Sequence, residues 1–241
     1  MNSMFSSFQT VPFFKGAFRY LNKHPLTEKN SVVIGRTRHK ILLKYSLPRK
    51  FDGLEIVWKE YTNTRFWRFF LRPSFAEREA NGFRIAEKAG LSVPRVLAFG
   101  NSRSHFKLKS CFIVTEFLKN TQNGSVFTPG GTMARDSARK IYAKLTLQQI
   151  AKLHLAGYVY GSLLPDNVLW RLNNDSRMEI FFVDPVSVRA RSGRRLRKEI
   201  RHDLLIFLDL LGFDPETTGQ MINYYNRIRK SLSPDAENIE L

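Results

Sequence analysis

A chain of 241 residues with 43% hydrophobic and 13% aromatic content holds enough apolar surface for a substantial core, which excludes a disordered tail. Its 39 Lys and Arg against 21 Asp and Glu leave a formal charge of +18, which favours anionic partners such as nucleotide phosphates, an acidic leaflet, phosphorylated glycolipid or nucleic acid, although a generally basic surface reads the same way. No apolar run approaches the ~20 residues that cross a bilayer, the N-terminus lacks the basic and apolar regions of a secretory signal, and the lone Cys111 cannot form an internal disulfide, so a cytoplasmic protein is expected.

Residues 1–30 are rich in Phe (Phe5, Phe8, Phe13, Phe14, Phe18) among scattered Lys and Arg. Such an N-terminal arm lies on a membrane surface or, more commonly, packs on the domain's own core. From Ser31 the pattern turns to strands, over 31–35, 40–45 and 54–61. The intervening turn Gly35-Arg36-Thr37-Arg38-His39 lacks a GxGxxG phosphate cover, so Arg36 and Arg38 would make phosphate contacts more than backbone amides would. A helix follows over about 75–89, with Ser74 as N-cap, Glu77 completing a capping box and Gly90 ending it. Because the box occupies Glu77, Glu79 is left to point elsewhere.

The run 111–117 reads as a buried strand with Cys111 as a structural thiol. It leads into a hinge, where Glu116 is a candidate nucleotide contact. Residues 119–133, with Asn120, Asn123, Gly124, Pro129, Gly130 and Gly131, are the clearest linker, and they divide an N-terminal lobe (31–118) from a C-terminal lobe (119–241). A helix then runs to Ala156, with Leu147, Ile150, Ala151 and His154 on one face. Without a Cys/His cluster, His154 reads as a core histidine. The segments 168–170 and 180–183 form a hairpin about the turn 173–176. The densest basic run, 189–201 (Arg191, Arg194, Arg195, Arg197, Lys198), is either a solvated helix face or a clamp for an anionic acceptor. Residues 202–208 read as a buried helix.

The stretch 156–170 has the layout of a kinase catalytic loop. Asn167 lies five residues after Ser162, an apolar strand follows, and Phe181-Phe182-Val183-Asp184 places a carboxylate at a strand end. The order of strand lysine, helix glutamate, hinge, loop and strand-end aspartate assigns Lys59 to the α/β-phosphates and Glu79 to holding Lys59. It assigns Asn167 and Asp184 to Mg²⁺.

On these residues the chain resembles the lipopolysaccharide core kinases of Gram-negative bacteria, which phosphorylate Kdo or heptose, over roughly residues 31–210. The resemblance rests on Val57-Trp58-Lys59-Glu60-Tyr61, on Ala76-Glu77-Arg78-Glu79-Ala80 and 89–97, on 150–167, and on Phe182-Val183-Asp184. It implies an α+β, two-lobed protein-kinase-like fold, with a small antiparallel-sheet N-lobe bearing one helix and a mostly helical C-lobe. It also implies ATP and Mg²⁺ as cofactors, ATP-dependent phosphoryl transfer, and a lipopolysaccharide core or other anionic glycolipid as partner, met at the inner-membrane surface.

The family's loop reads His-Gly-Asp-Leu, whereas this chain has Tyr160-Gly161-Ser162-Leu163. Ser162 therefore stands with Asn167 and Asp184 among the catalytic positions, but it lacks a carboxylate's charge and basicity, a contribution of typically ~10²–10⁴-fold. The resemblance thus implies impaired transfer, or else a pseudokinase that binds nucleotide or anionic glycolipid and serves a regulatory or scaffolding role. Asp166 is expected to cap or solvate the loop rather than to compensate, and Pro185 to stiffen the segment after Asp184. Asp203 matches an acid that supports the loop from a later helix, or is a helix N-terminal Asp favoured by the dipole. Nucleic-acid binding fits the charge, but no reader motif accompanies it.

Overall fold

Alternating apolar residues lay down the first half of the chain as an antiparallel sheet. The computed structural model describes residues 7–61, 72–104, 107–133 and 135–240, so Phe5 of the Phe-rich arm lies outside the described residues. Two compact units form, one from residues up to 81 with 94–118, the other from 82–93 with everything from 119 onward.

The first unit contains β1 (Ser7–Thr10), α1 (Lys15–Lys23), β2 (Val32–Arg36), β3 (Lys40–Ser46), β4 (Glu55–Tyr61) and the start of α2 (Phe75–Lys88), followed by β5 (Val96–Ser104) and β6 (Lys107–Glu116). The strands pair antiparallel in the order β1-β5-β6-β4-β3-β2. Side chains alternate across a strand, so Ile56 and Trp58 of β4 face one side with Phe112 and Val114 of β6. Lys59 and Tyr61 stand on β4 out of step with that set.

The Phe-rich arm packs on the unit's own core. Phe14, Ala17, Phe18 and Leu21 are buried, and Phe18 stacks on Phe112 at 5.5 Å, which in turn stacks on Trp58 at 4.5 Å. Each fully buried Phe contributes roughly 1.5–3 kcal/mol, enough to hold α1 against the sheet without a membrane. Phe8 and Phe13 remain exposed, Phe13 under the Arg95 guanidinium. Cys111 is buried in β6, and burial pushes its thiol up to about 11, which keeps it unreactive.

Helix α2 begins with the capping box read from its sequence. Ser74 N–H donates to Glu77 Oε2 at 2.6 Å and Glu77 N–H donates to Ser74 Oγ at 3.2 Å. Gly90 ends the helix at φ +82°, and Leu91 N–H reaches back to the Ala86 carbonyl at 3.0 Å, as a left-handed C-terminal residue allows.

The second unit contains β7 (Gln122–Asn123), α3 (Asp136–Leu155), β8 (Tyr158–Val159), β9 (Val168–Leu172) and β10 (Met178–Phe182), then β11 (Arg189–Ala190), α4 (Gly193–Leu210) and α5 (Pro215–Leu232). β9 and β10 form the expected hairpin, with Trp170 opposite Ile180. Its turn is fastened by the Asn173 side chain, which accepts from the N–H groups of Asp175 and Arg177. The core joins Leu147, Ile150 and Ala151 of α3 to Val168, Ile180, Phe182, Leu204, Phe207 and Tyr225. His154 is a core histidine, sharing a 2.6 Å hydrogen bond through Nδ1 with the Tyr225 hydroxyl.

Residues 119–133 are not a free linker. β7 pairs with β9, Asn123 caps the 3-10 turn Gly124–Phe127, and the buried Phe127 stacks on Tyr142 at 4.6 Å. Gly124 and Gly131 serve close packing here, since a Cβ on Gly124 would overlap the Tyr142 hydroxyl and the Pro165 carbonyl, and one on Gly131 the Val126 carbonyl. Among the described residues no helix is long and apolar enough to cross a membrane.

Candidate active site

Lys59 lies in the middle of the sheet, opposite Leu42 on β3 and Ile113 on β6. Two residues on, Tyr61 projects to the same side. Both reach Glu79, one turn into α2 from its cap. Lys59 Nζ donates to Glu79 Oε1 at 2.8 Å and the Tyr61 hydroxyl donates to Oε2 at 2.5 Å. Lys59 is 6% exposed and Glu79 2%, so this ion pair is withdrawn from water. Tyr61 stacks on Phe75 at 5.1 Å, which fixes the ring beside the first turn of α2. The capping box holds Glu77, as its spacing implied, and Glu79 is the acid that meets the lysine.

The loop 160–167 is held from every side by its own unit. Tyr160 is buried and its hydroxyl donates to the Val183 carbonyl at 2.6 Å, which joins the loop to the residue preceding Asp184. Gly161 takes φ +78°, where an L side chain is strained, and a Cβ there would press on the Ser187 carbonyl. Its N–H donates to Asp203 Oδ2 at 2.8 Å. Asn167 closes the loop by donating from Nδ2 to the Ser162 carbonyl at 2.8 Å, and Val183 N–H donates to the Asn167 carbonyl at 2.9 Å. From beneath, the Tyr142 hydroxyl bonds the Val168 carbonyl at 3.0 Å and the Pro165 carbonyl at 3.3 Å.

Asp203 is not at a helix N-terminus. α4 begins ten residues earlier, at Gly193, so Asp203 lies in its third turn, buried. Burial pushes its carboxyl up, while the Gly161 N–H and the Arg189 guanidinium pull it down. Its position makes it the anchor of the loop backbone. Asp184 adopts a left-handed backbone, φ 62° and ψ 45°, and Pro185 starts a 3-10 turn immediately after it. Asp tolerates that region better than most residues.

The remaining sequence candidates have surroundings of their own. Arg36 ends β2, exposed and paired with Glu28. Glu116 ends β6, where its Oε1 accepts from the Arg95 N–H at 3.1 Å. Asp166 is exposed in the 3-10 turn Pro165–Asn167. Among the described residues the Ser162 hydroxyl makes no hydrogen bond, and no cluster of three His, Cys, Asp or Glu side chains is arranged for a metal.

Sequence reading missed Tyr61 and Tyr142, and it took Tyr160 only as a lost histidine. The one available signal was period two along β4, which puts Tyr61 on the side of Lys59. The first unit thus carries a buried lysine–glutamate pair on its sheet. The second carries a braced loop ending in Asn, with a strand-end Asp one residue beyond the loop's tether. The profile of the lipopolysaccharide kinase (Kdo/WaaP) family matches residues 55–223, a span that takes in all of these residues.

The chain belongs to the lipopolysaccharide kinase (Kdo/WaaP) family. Among solved structures it is similar to one described as WaaP in complex with acyl carrier protein, with a TM-score of 0.61 at 18% identity over 94% of this chain and 92% of that one. At that identity the likeness concerns the fold, which is kinase-like and mixed α/β. A comparison with curated proteins finds no match.

Proposed function

We propose that the chain is an ATP-dependent phosphotransferase acting on a Kdo or heptose hydroxyl of a lipopolysaccharide core, with turnover impaired by Ser162. The buried Lys59–Glu79 pair carries this reading. Withdrawing two ions from water is costly to a fold, and a lysine kept ready for the α/β-phosphates is a function that offsets the cost. Arg36 adds charge toward phosphate and Glu116 a contact to the nucleotide. Work on such an acceptor belongs at the inner-membrane face, with the protein itself peripheral.

The donor chemistry of the loop suits Mg²⁺. Asn167 uses Nδ2 on the Ser162 carbonyl, leaving Oδ1 as a hard oxygen ligand, and Asp184 offers a carboxylate. Mg²⁺ takes one or two carboxylates together with substrate phosphates. When bound, Mg·ATP supplies the γ-phosphoryl group and neutralises charge on its oxygens. Transfer forms a bond from the acceptor oxygen to the γ-phosphorus and breaks the bond from that phosphorus to the β–γ bridging oxygen, and the acceptor's proton must depart. Ser162 can orient the hydroxyl but carries no charge to draw that proton, and exposed Asp166 does not stand in its place. The expected deficit is about 10²–10⁴-fold.

A second reading is a pseudokinase that binds nucleotide or anionic glycolipid and regulates or scaffolds. The observation favouring it is that Tyr160, Asn167, Tyr142 and Asp203 brace a loop that carries Ser162 where this reading would put a base. Calorimetry of Mg·ATP on wild type, Lys59→Ala and Lys59→Met, with melting curves as a check on folding, tests the nucleotide half. Turnover with a lipopolysaccharide core acceptor tests the rest. Slow turnover raised by Ser162→Asp supports the kinase. Binding without turnover, with activity gained in Ser162→Asp, supports the pseudokinase. No Mg·ATP binding by the folded wild type sinks the kinase and the nucleotide-binding pseudokinase, and leaves only the glycolipid-binding role.

A further inference from the structure

The basic run at 189–201 divides into two groups with different surroundings. Arg189, Arg191 and Arg195 are fastened to Glu199 at 2.9, 2.7 and 3.2 Å, so their side chains are held within the fold, although one carboxylate offsets only one of their three charges. Arg194, Arg197, Lys198 and Arg201 follow i, i+3, i+4, i+7 spacing and share one stripe of α4. All four are exposed, on a stripe that flanks the buried Ile200 and Leu204 and lies opposite the buried Asp203. Arg197 pairs with Glu237, which is itself exposed. Among the described residues Arg194, Lys198 and Arg201 have no ion-pair partner. The stripe forms one wall of a cleft of about 970 Å³ whose other wall is residues 237–240.

This arrangement opposes the helix's own electrostatics. The positive end of a helix dipole favours anions, yet α4 has no acid in its first turn and no side-chain cap, and it carries Arg194 and Arg195 there instead. Repulsion among these groups raises the energy of the isolated chain, and a polyanion relieves it. No large apolar side chain is exposed along the stripe, so the contact is electrostatic and not an inserted amphipathic helix. No aromatic residue lines the cleft, so it offers no platform for nucleic-acid bases.

We propose that the Arg194–Arg197–Lys198–Arg201 face of α4 docks the protein on the anionic phospholipid surface of a bilayer. The choice of a lipid surface over an acidic protein rests on the kinase reading, since a glycolipid acceptor resides in such a surface. On the opposite side of α4, Asp203 holds Gly161 of the loop, so docking leaves that contact undisturbed.

The test is partitioning of the full chain onto vesicles of phosphatidylcholine alone and of phosphatidylcholine mixed with phosphatidylglycerol. Three proteins are compared: wild type, the triple variant Arg194→Gln/Lys198→Gln/Arg201→Gln, and the charge-matched triple Lys15→Gln/Arg19→Gln/Lys23→Gln on α1. Each basic residue near an anionic leaflet is worth roughly fivefold in partitioning, so the α4 triple should lose about a hundredfold on phosphatidylglycerol vesicles and the α1 triple less than about threefold. Glu237→Gln, which releases Arg197, should bind more tightly than wild type.

Equal losses in the two triples would reduce the effect to general charge and overturn the proposal. So would wild-type failure to bind, or unchanged binding by the α4 triple. Retained vesicle binding with lost binding to polyglutamate would reassign the face to an acidic protein. Mg·ATP binding measured on the same proteins separates the two readings, because its absence throughout would sink the kinase reading and leave the vesicle result standing.

Discussion

The Tyr61 hydroxyl donates to Glu79 Oε2 while Lys59 occupies Oε1, so the helix glutamate is gripped through both oxygens from one strand. A buried carboxylate held only by a flexible lysine can rotate, whereas two donors fix its plane. Hydrogen bonds to charged groups contribute about 1.5–3 kcal/mol each. Tyr61→Phe keeps the stacking on Phe75 and removes only the donor. It should lower stability by about 2 kcal/mol and weaken Mg·ATP binding about tenfold by calorimetry. Unchanged affinity would show that the Tyr61 hydroxyl is not needed to position Glu79.

Gly82 offers a test with a reversed sign. Within a helix, Gly→Ala ordinarily stabilises by about 1 kcal/mol. At Gly82 the added Cβ would overlap the Pro185 backbone carbonyl, which cannot swing aside as a side-chain tip would. Overpacking of this kind costs typically ~1–3 kcal/mol. Gly82→Ala should therefore melt lower by several degrees, while Glu87→Ala on the exposed part of the same helix stays close to wild type.

His154 makes stability fall in acid. Burial, reinforced by the nearby Arg229 charge, depresses its pKa to about 3, against about 6.5 in an unfolded chain. Between those values the unfolded chain holds a proton that the folded one does not, so stability rises with pH up to about 6.5 and is flat above. On going from neutral pH to pH 5, wild type should lose about 2 kcal/mol more than His154→Gln, which has no titrating ring. Urea melts of the two proteins at both pH values measure the difference, and parallel losses would contradict it.

Asp203 separates a charge requirement from a hydrogen-bond requirement. Asp203→Ala removes the acceptor of the Gly161 N–H and should cost about 1–3 kcal/mol. Asp203→Asn retains an acceptor oxygen and should cost less. Amide exchange at Gly161 should accelerate in the alanine variant and stay slow in the asparagine variant. Equal exchange in both would mean that the loop is held by other contacts.

Much of this molecule was readable from local pattern. β2, β3 and β4 announce themselves by β-branched and aromatic alternation, and α2 by a capping box spaced for reciprocal bonds. The loop from Tyr160 to Asn167 is legible because its spacing is a local property. The features that escaped depend on partners distant in sequence. β5 ends in Gly100-Asn101-Ser102-Arg103-Ser104, too polar to read as a strand until it is paired on both sides by β1 and β6. β7 is two residues long and exists only because β9 lies beside it. Tyr61 reaches Glu79 across 18 positions and Tyr160 reaches Val183 across 23, separations that carry no periodic signal. The glycines at 124 and 131 misled for a related reason, because close approach and flexibility select the same residue.

Between Asp184 and the start of α4 lie only residues 185–192. Pro185 opens a 3-10 turn there, Arg189 and Ala190 pair with β8, and Arg191 N–H bonds the Gly157 carbonyl at 2.8 Å. A stretch so short and so tethered has no slack to swing between open and shut forms, so a covalent mark placed on it would meet no latch to release. Control of this protein would therefore have to act on some other part of the chain.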